Sequence, residues 1–92
     1  MSDLRFEWDP AKAAANLKKH GIGFDEAKSV FADERAKLIA DPGHSEDEGR
    51  FILLGLSTRL KLLVVCHCYR SKSNTIRIIS ARKATATESR DY

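Results

Sequence analysis

The rhythm of apolar and polar positions changes near residue 36. Before it, Phe24, Ala27 and Phe31 recur at helical spacing, and residues 11–20 are mostly good helix formers. Asp9 suits an N-cap and Pro10 the first helical position, where its missing N–H costs nothing, while Gly21 is a natural stop. Asp25 and Glu26 fall in the first turn of the second helix, where carboxylates complement the backbone dipole. Two short helices are therefore predicted first. After Ala36 the helical spacing disappears. Residues 37–40 form a short strand candidate, and Asp41-Pro42-Gly43-His44-Ser45-Glu46-Asp47 is a polar turn tract. Three runs rich in Leu, Ile and Val follow at 50–57, 60–69 and 75–82, joined by segments short enough for hairpins. Thr85 and Glu88 have the spacing of a capping box, which predicts a last helix ending at Tyr92. The expected architecture is α+β in one domain over residues 1–92: two N-terminal helices, a four-stranded antiparallel sheet and a C-terminal helix, in the order α-α-β-β-β-β-α.

Alternation along residues 60–69 gives two faces of different character. One carries Leu60, Leu62, Val64, Cys66 and Cys68; the other carries Lys61, Leu63, Val65, His67 and Tyr69. The first is expected to be core, with Cys66 and Cys68 as reduced core thiols. The second mixes apolar and polar residues, as suits a face partly covered by the C-terminal helix or by another protein.

Composition adds few constraints. A chain of 92 residues fits one domain with a thin core, and 42% hydrophobic against 32% charged residues places it among folded rather than disordered chains. The net charge of +3 hides an asymmetry. Residues 1–49 hold 7 Lys/Arg against 11 Asp/Glu, a balance of −4, whereas residues 50–92 hold 9 against 2, a balance of +7. A basic face of that kind draws polyanions, although a solvated face balanced by the acidic half would look the same. No stretch approaches a membrane span and the N-terminus is charged where a signal peptide is apolar, so a cytoplasmic protein without a membrane partner is expected.

Metal chemistry is disfavoured by spacing. His67 lies between Cys66 and Cys68 on the opposite strand face, and His20 and His44 have no ligand partner at helical or turn spacing. No metal and no cofactor are expected, and there is no glycine-rich phosphate loop or nucleophile elbow. What remains is a set of phosphate-compatible groups near strand ends: Glu48 and Arg50, then Arg59, Lys61, His67 and Arg70, then Arg77, Arg82 and Lys83. Metal-free RNA cleavage needs a base for the 2′-hydroxyl proton, cations for the phosphate and an acid for the leaving oxygen. Glu48 or His67 fits the proton role, and Arg50, Arg70 and Arg77 fit the phosphate role. Structural alternatives stand beside each: a hydrogen-bonded core His67, a Glu48–Arg50 ion pair, and a solvated tip at Arg59 and Lys61. Arg77 differs, because a charge flanked by Ile76, Ile78 and Ile79 requires a partner or a ligand. Trp8 and Tyr92 offer stacking surfaces for bases, with Trp8 read as a core anchor.

Several segments resemble the BrnT ribonuclease toxins. They are Phe6-Glu7-Trp8-Asp9, Lys12 with Asn16, Lys19-His20-Gly21, Phe24 with Glu26-Ala27 and Val30-Phe31, and Asp33. In the second half they are Glu48 with Arg50, Gly55, Leu63-Val64-Val65, His67, Arg70, residues 76–84, Glu88 and Tyr92. The resemblance runs from Phe6 to Tyr92. It implies a RelE-like fold and a metal-independent endoribonuclease that blocks translation. It also implies neutralisation by a BrnA-type antitoxin with a ribbon-helix-helix domain, through which alone the complex would bind DNA and repress its operon. Carried over by position, the candidates are Lys19, His20, Glu48, Arg50, His67, Arg70, Arg77, Arg82, Glu88 and Tyr92. Together with the residue chemistry this assigns His67, Glu48, Arg70 and Arg77 to catalysis and Arg50, Arg59, Lys61, Arg82, Lys83 and Tyr92 to RNA binding. A non-catalytic antitoxin-binding subunit and a general nucleic-acid binder are the alternatives.

Overall fold

The computed structural model describes residues 4–40, 49–70 and 74–92; the tract 41–47, Glu48 and residues 71–73 lie outside them. The elements are β1 (Arg5–Glu7), α1 (Pro10–His20), α2 (Phe24–Ser29) running into a 3-10 turn (Val30–Ala32), β2 (Lys37–Ala40), β3 (Arg50–Leu56), β4 (Leu62–Arg70), β5 (Thr75–Lys83) and α3 (Ala86–Ser89). The sheet has five strands in the order β1-β5-β4-β3-β2. β2 to β5 form the expected antiparallel meander, but β1 joins β5 in parallel, with Phe6 opposite Ile76 and Glu7 opposite Arg77. The class is α+β, yet the expected four-stranded antiparallel sheet in the order α-α-β-β-β-β-α is corrected to a mixed five-stranded one. Three residues are too few to show alternation, so β1 leaves no periodic signal.

Local chemistry sets the helix ends as expected. The Ala11 N–H donates to Asp9 Oδ1 at 2.9 Å, and Gly21, at φ 72°, donates its N–H to the Leu17 carbonyl at 2.8 Å. Thr85 and Glu88 form a complete capping box in front of α3.

The core lies between the sheet and the N-terminal helices. Ile22, Phe24, Ala27 and Val30 pack on Leu53, Leu63, Val65, Ile78 and Ala81, with Phe6, Trp8 and Phe31 at the margin. Trp8 meets Phe24 edge-on at 5.9 Å and is an anchor, as expected. The core face of β4 is thus the one carrying Leu63, Val65 and His67, the reverse of the expected assignment. Cys66 and Cys68 lie half-buried on the other face, as reduced thiols. Both faces are rich in Leu and Val, so alternation separates them without telling which one the helices cover. Val64 and Leu54 are buried on the second face. Arg82 pairs with Val64 across the strands and binds Glu88, which places α3 over that end of the face.

β1 pairs with β5 only through Arg77. Beyond it, α1 covers the strand edge. Asn16, 7% exposed, donates from Nδ2 to the Ile22 and Ala81 carbonyls at 2.9 Å each and accepts the Ala81 N–H at 3.1 Å. Its amide thus stands in for the missing neighbouring strand and satisfies both backbone groups of Ala81.

Candidate nucleic-acid interface

The face away from α1 and α2 carries a row of charge. Arg50, Cys68 and Arg77 are direct neighbours across β3, β4 and β5, Glu7 stands opposite Arg77 on β1, and Arg70, two residues beyond Cys68, shares the face. A bulge makes this alignment possible. Cys66 pairs with Ser80 but His67 with Ile78, so Ile79 is the extra residue and β5 changes phase between Arg77 and Ser80.

Glu7 ties the row together. Its Oε2 accepts from Arg70 Nε at 3.0 Å, Arg70 Nη2 at 3.0 Å and Arg77 Nη1 at 2.9 Å. The side chains are 36% (Glu7), 55% (Arg70) and 33% (Arg77) exposed, so the cluster is open to solvent. Hydrogen bonds from Arg77, then from Arg70, hold the Glu7 carboxyl below its ordinary range. Arg77 sits between buried Ile76 and Ile78, and its required partner is Glu7. Residue reasoning passed over Glu7 because the pair is 70 positions apart; the usable signal was the need of a charge in an apolar run for a carboxylate.

His67 lies on the other side of the sheet, fully buried. Its ring meets Phe31 at 4.8 Å, Tyr69 at 5.2 Å and Phe51 at 6.3 Å, and burial lowers its pKa below the ordinary 6.5. The two roles expected to cooperate, proton transfer at His67 and phosphate binding at Arg70 and Arg77, therefore face opposite ways. Glu48 lies outside the described residues; Arg50 begins β3 beside the row.

The remaining cations gather at the far end of the strands, roughly 15–25 Å away at 3.3 Å per residue. Arg82 makes a two-pronged contact with Glu88 at 2.8 Å and 2.8 Å, and this contact above all lowers the Glu88 carboxyl from 4.5 to about 2. Lys83 lies opposite Leu63. Arg59 and Lys61 belong to the β3–β4 turn, closed by Ser57 N–H to the Lys61 carbonyl at 2.8 Å, with Leu60 at φ 61°. Tyr92 donates its hydroxyl to Asp33 Oδ2 at 2.6 Å, and that bond raises its pKa. Lys19 and His20 end α1, apart from both groups. Among the described residues no cluster of three or more His, Cys, Asp or Glu could hold a metal ion, and no helix is long and apolar enough to cross a membrane.

Residues 8–88 match the family model described as ribonuclease toxin, BrnT, of type II toxin-antitoxin system. Among solved structures, the 1.1 Å crystal structure of the Brucella abortus ribonuclease toxin BrnT superposes with a TM-score of 0.70. It is 22% identical, and the match covers 90% of this chain and 99% of that one, which shows a common fold. No curated protein matches.

Proposed function

Because the chain belongs to the BrnT ribonuclease toxins of type II toxin-antitoxin systems, we propose that it is a metal-independent endoribonuclease that blocks translation in the cytoplasm. In this reading a BrnA-type antitoxin with a ribbon-helix-helix domain neutralises it, and DNA is met only through that antitoxin. The observation that carries the reading is the Glu7 carboxylate held between Arg70 and Arg77 on the open face. Two guanidinium forks around one anionic oxygen are what an RNA phosphate would use, and an incoming phosphate displaces Glu7 from them.

In the cleavage step the 2′-oxygen attacks the adjacent phosphorus, the bond to the 5′-oxygen breaks, and the departing 5′-oxygen takes a proton from water. Arg70 and Arg77 stabilise the charge that builds on the phosphoryl oxygens, in a role that needs no metal. The 2′-hydroxyl proton is assigned to Glu48, two residues before Arg50 in the sequence. Glu7, with its lowered pKa, is the poorer base and serves to hold the two arginines in place. His67 is assigned a positioning role, supporting β4 from behind. Arg50 extends the phosphate site, while Arg59, Lys61, Arg82, Lys83 and Tyr92 are assigned to RNA outside the scissile step.

Purified protein should cleave RNA equally well with and without a chelator. Arg70→Ala and Arg77→Ala should each lower the rate by about 10²-fold, in line with the loss of one stabilising donor, and should relieve growth arrest on induction. Loss of cleavage in chelator, or full activity in both folded variants, would overturn the assignment. Tight antitoxin binding with no cleavage would favour a non-catalytic subunit.

A further inference from the structure

A second set of cations lies on the opposite side of the β5 edge from Glu7. Lys12, Asn16 and Lys19 recur at helical spacing on one face of α1, and with His20, Ile79 and Ser80 they border a cleft of about 220 Å³. Lys12 and Lys19 are exposed and His20 is half-buried.

Three features distinguish this cleft from an ordinary solvated helix face. First, Arg70 and Arg77 share Glu7 and Arg82 binds Glu88, whereas among the described residues no carboxylate pairs with Lys12, Lys19 or His20. Second, the helix dipole explains Lys19 and His20 in the last turn of α1 but not Lys12 in the first, where the dipole repels a cation and the N-cap Asp9 carboxylate is engaged by the Ala11 N–H. Third, the floor offers little to a cation. The Asn16 amide is spent on Ile22 and Ala81, leaving Ile79, the residue displaced by the bulge, and Ser80. Lysine walls over a floor without a carboxylate select an anion.

The cleft and the proposed cleavage site share strand β5. Ile79 follows Arg77 by two residues on β5, about 7 Å at 3.3 Å per residue, and Lys12 and Lys19 span about 10 Å along α1. An RNA strand leaving the Arg70–Arg77 fork over the β5 edge meets the cleft within a few nucleotides. We infer that this cleft is a second phosphate site, at which Lys12 and Lys19 grip the RNA backbone next to the scissile phosphate. The inference rests on the RNA-cleaving role proposed above and adds to it the path of the substrate.

The test uses the full chain and a mixed-sequence 2′-O-methyl RNA oligonucleotide, which lacks the attacking hydroxyl and stays intact. Affinity is measured against salt concentration for the parent and for the Lys12→Gln/Lys19→Gln double variant. Both lysines are exposed and unpaired, so the variant should keep the parent's thermal midpoint. Two lost phosphate contacts should make the slope of log affinity against log salt shallower by about 1.4, at about 0.7 per contact on a single strand. A parent-like slope and affinity would overturn the inference while leaving the cleavage site standing. A change seen only with duplex DNA would assign the cleft to DNA and overturn it too. If the parent binds no RNA, both readings fall, whereas a parent that binds and cleaves keeps the first whatever the variant does.

Discussion

His67 has no exposed surface, its Nδ1 lies 3.1 Å from the Val65 carbonyl, and its Nε2 lies 3.4 Å from the Tyr69 hydroxyl. A carbonyl only accepts, so in the neutral ring Nδ1 carries the proton and Nε2 is left to accept from Tyr69. Burial penalises the imidazolium and the Val65 carbonyl offsets this only in part, so the folded pKa lies below 6.5. Above 6.5 the ring is neutral in folded and unfolded chains alike and pH has no effect through it. Below 6.5 the unfolded chain takes up the proton more readily, and stability falls with pH, by at most ~1.4 kcal/mol per pH unit. The thermal midpoint should therefore drop on acidification through this window in the parent and stay flatter in a folded His67→Gln protein; parallel curves for the two would sink the account. The sequence placed His67 on the strand face opposite Cys66 and Cys68 but could not show that three rings enclose it. Arg77 was more legible, because its apolar neighbours demanded a partner. That partner, Glu7, is brought near only by a parallel strand pairing.

At the scale of elements, what was legible followed length. Strands of seven to nine residues and a capped helix of eleven carry enough positions for a period to show, and all were found within two residues of their ends. The three-residue β1 and the bulge at Ile79 do not, although together they bring Glu7, Arg70 and Arg77 to one face. Gly55 is another such determinant. A Cβ there would stand 2.7 Å from Val30 Cγ1, 2.9 Å from Ala36 Cβ and 3.2 Å from Asp33 Oδ2. The close approach seats the 3-10 turn on β3, where Asp33 Oδ2 accepts the Leu56 N–H at 2.8 Å. Gly55→Ala should destabilise the fold by about 1–3 kcal/mol, the usual cost of overpacking, read as a lower denaturant midpoint. An unchanged midpoint would mean that the turn and β3 separate freely.

Across the whole molecule, the division into an acidic first half and a basic second half is partly an internal closure. Glu7 binds Arg70 and Arg77, Glu26 Oε2 accepts the Ser57 hydroxyl at 2.8 Å, and Asp33 accepts from Leu56 and Tyr92. Acids of the first half thus hold strands and the C-terminus of the second, which charge counting could not separate from a free polyanion surface. These contacts make the fold acid-sensitive in a second window. The carboxyls of Glu7, Asp33 and Glu88 all lie below their ordinary values in the folded chain, Glu88 falling from 4.5 to about 2 through Arg82. A depressed carboxyl stabilises the fold fully above its unfolded pKa, and that contribution is lost as pH falls through the folded value. The Glu88 share should therefore persist above 4.5 and vanish as pH approaches about 2. Glu88→Gln should start from a lower thermal midpoint and lose less of it across this window, while keeping the parent's response to His67 below 6.5. Equal losses in parent and variant would show that the Arg82–Glu88 contact does not anchor α3. Because the His67 window opens at 6.5 and the Glu88 window only at 4.5, one acid titration of the parent and the two variants separates the buried ring from the paired carboxylates.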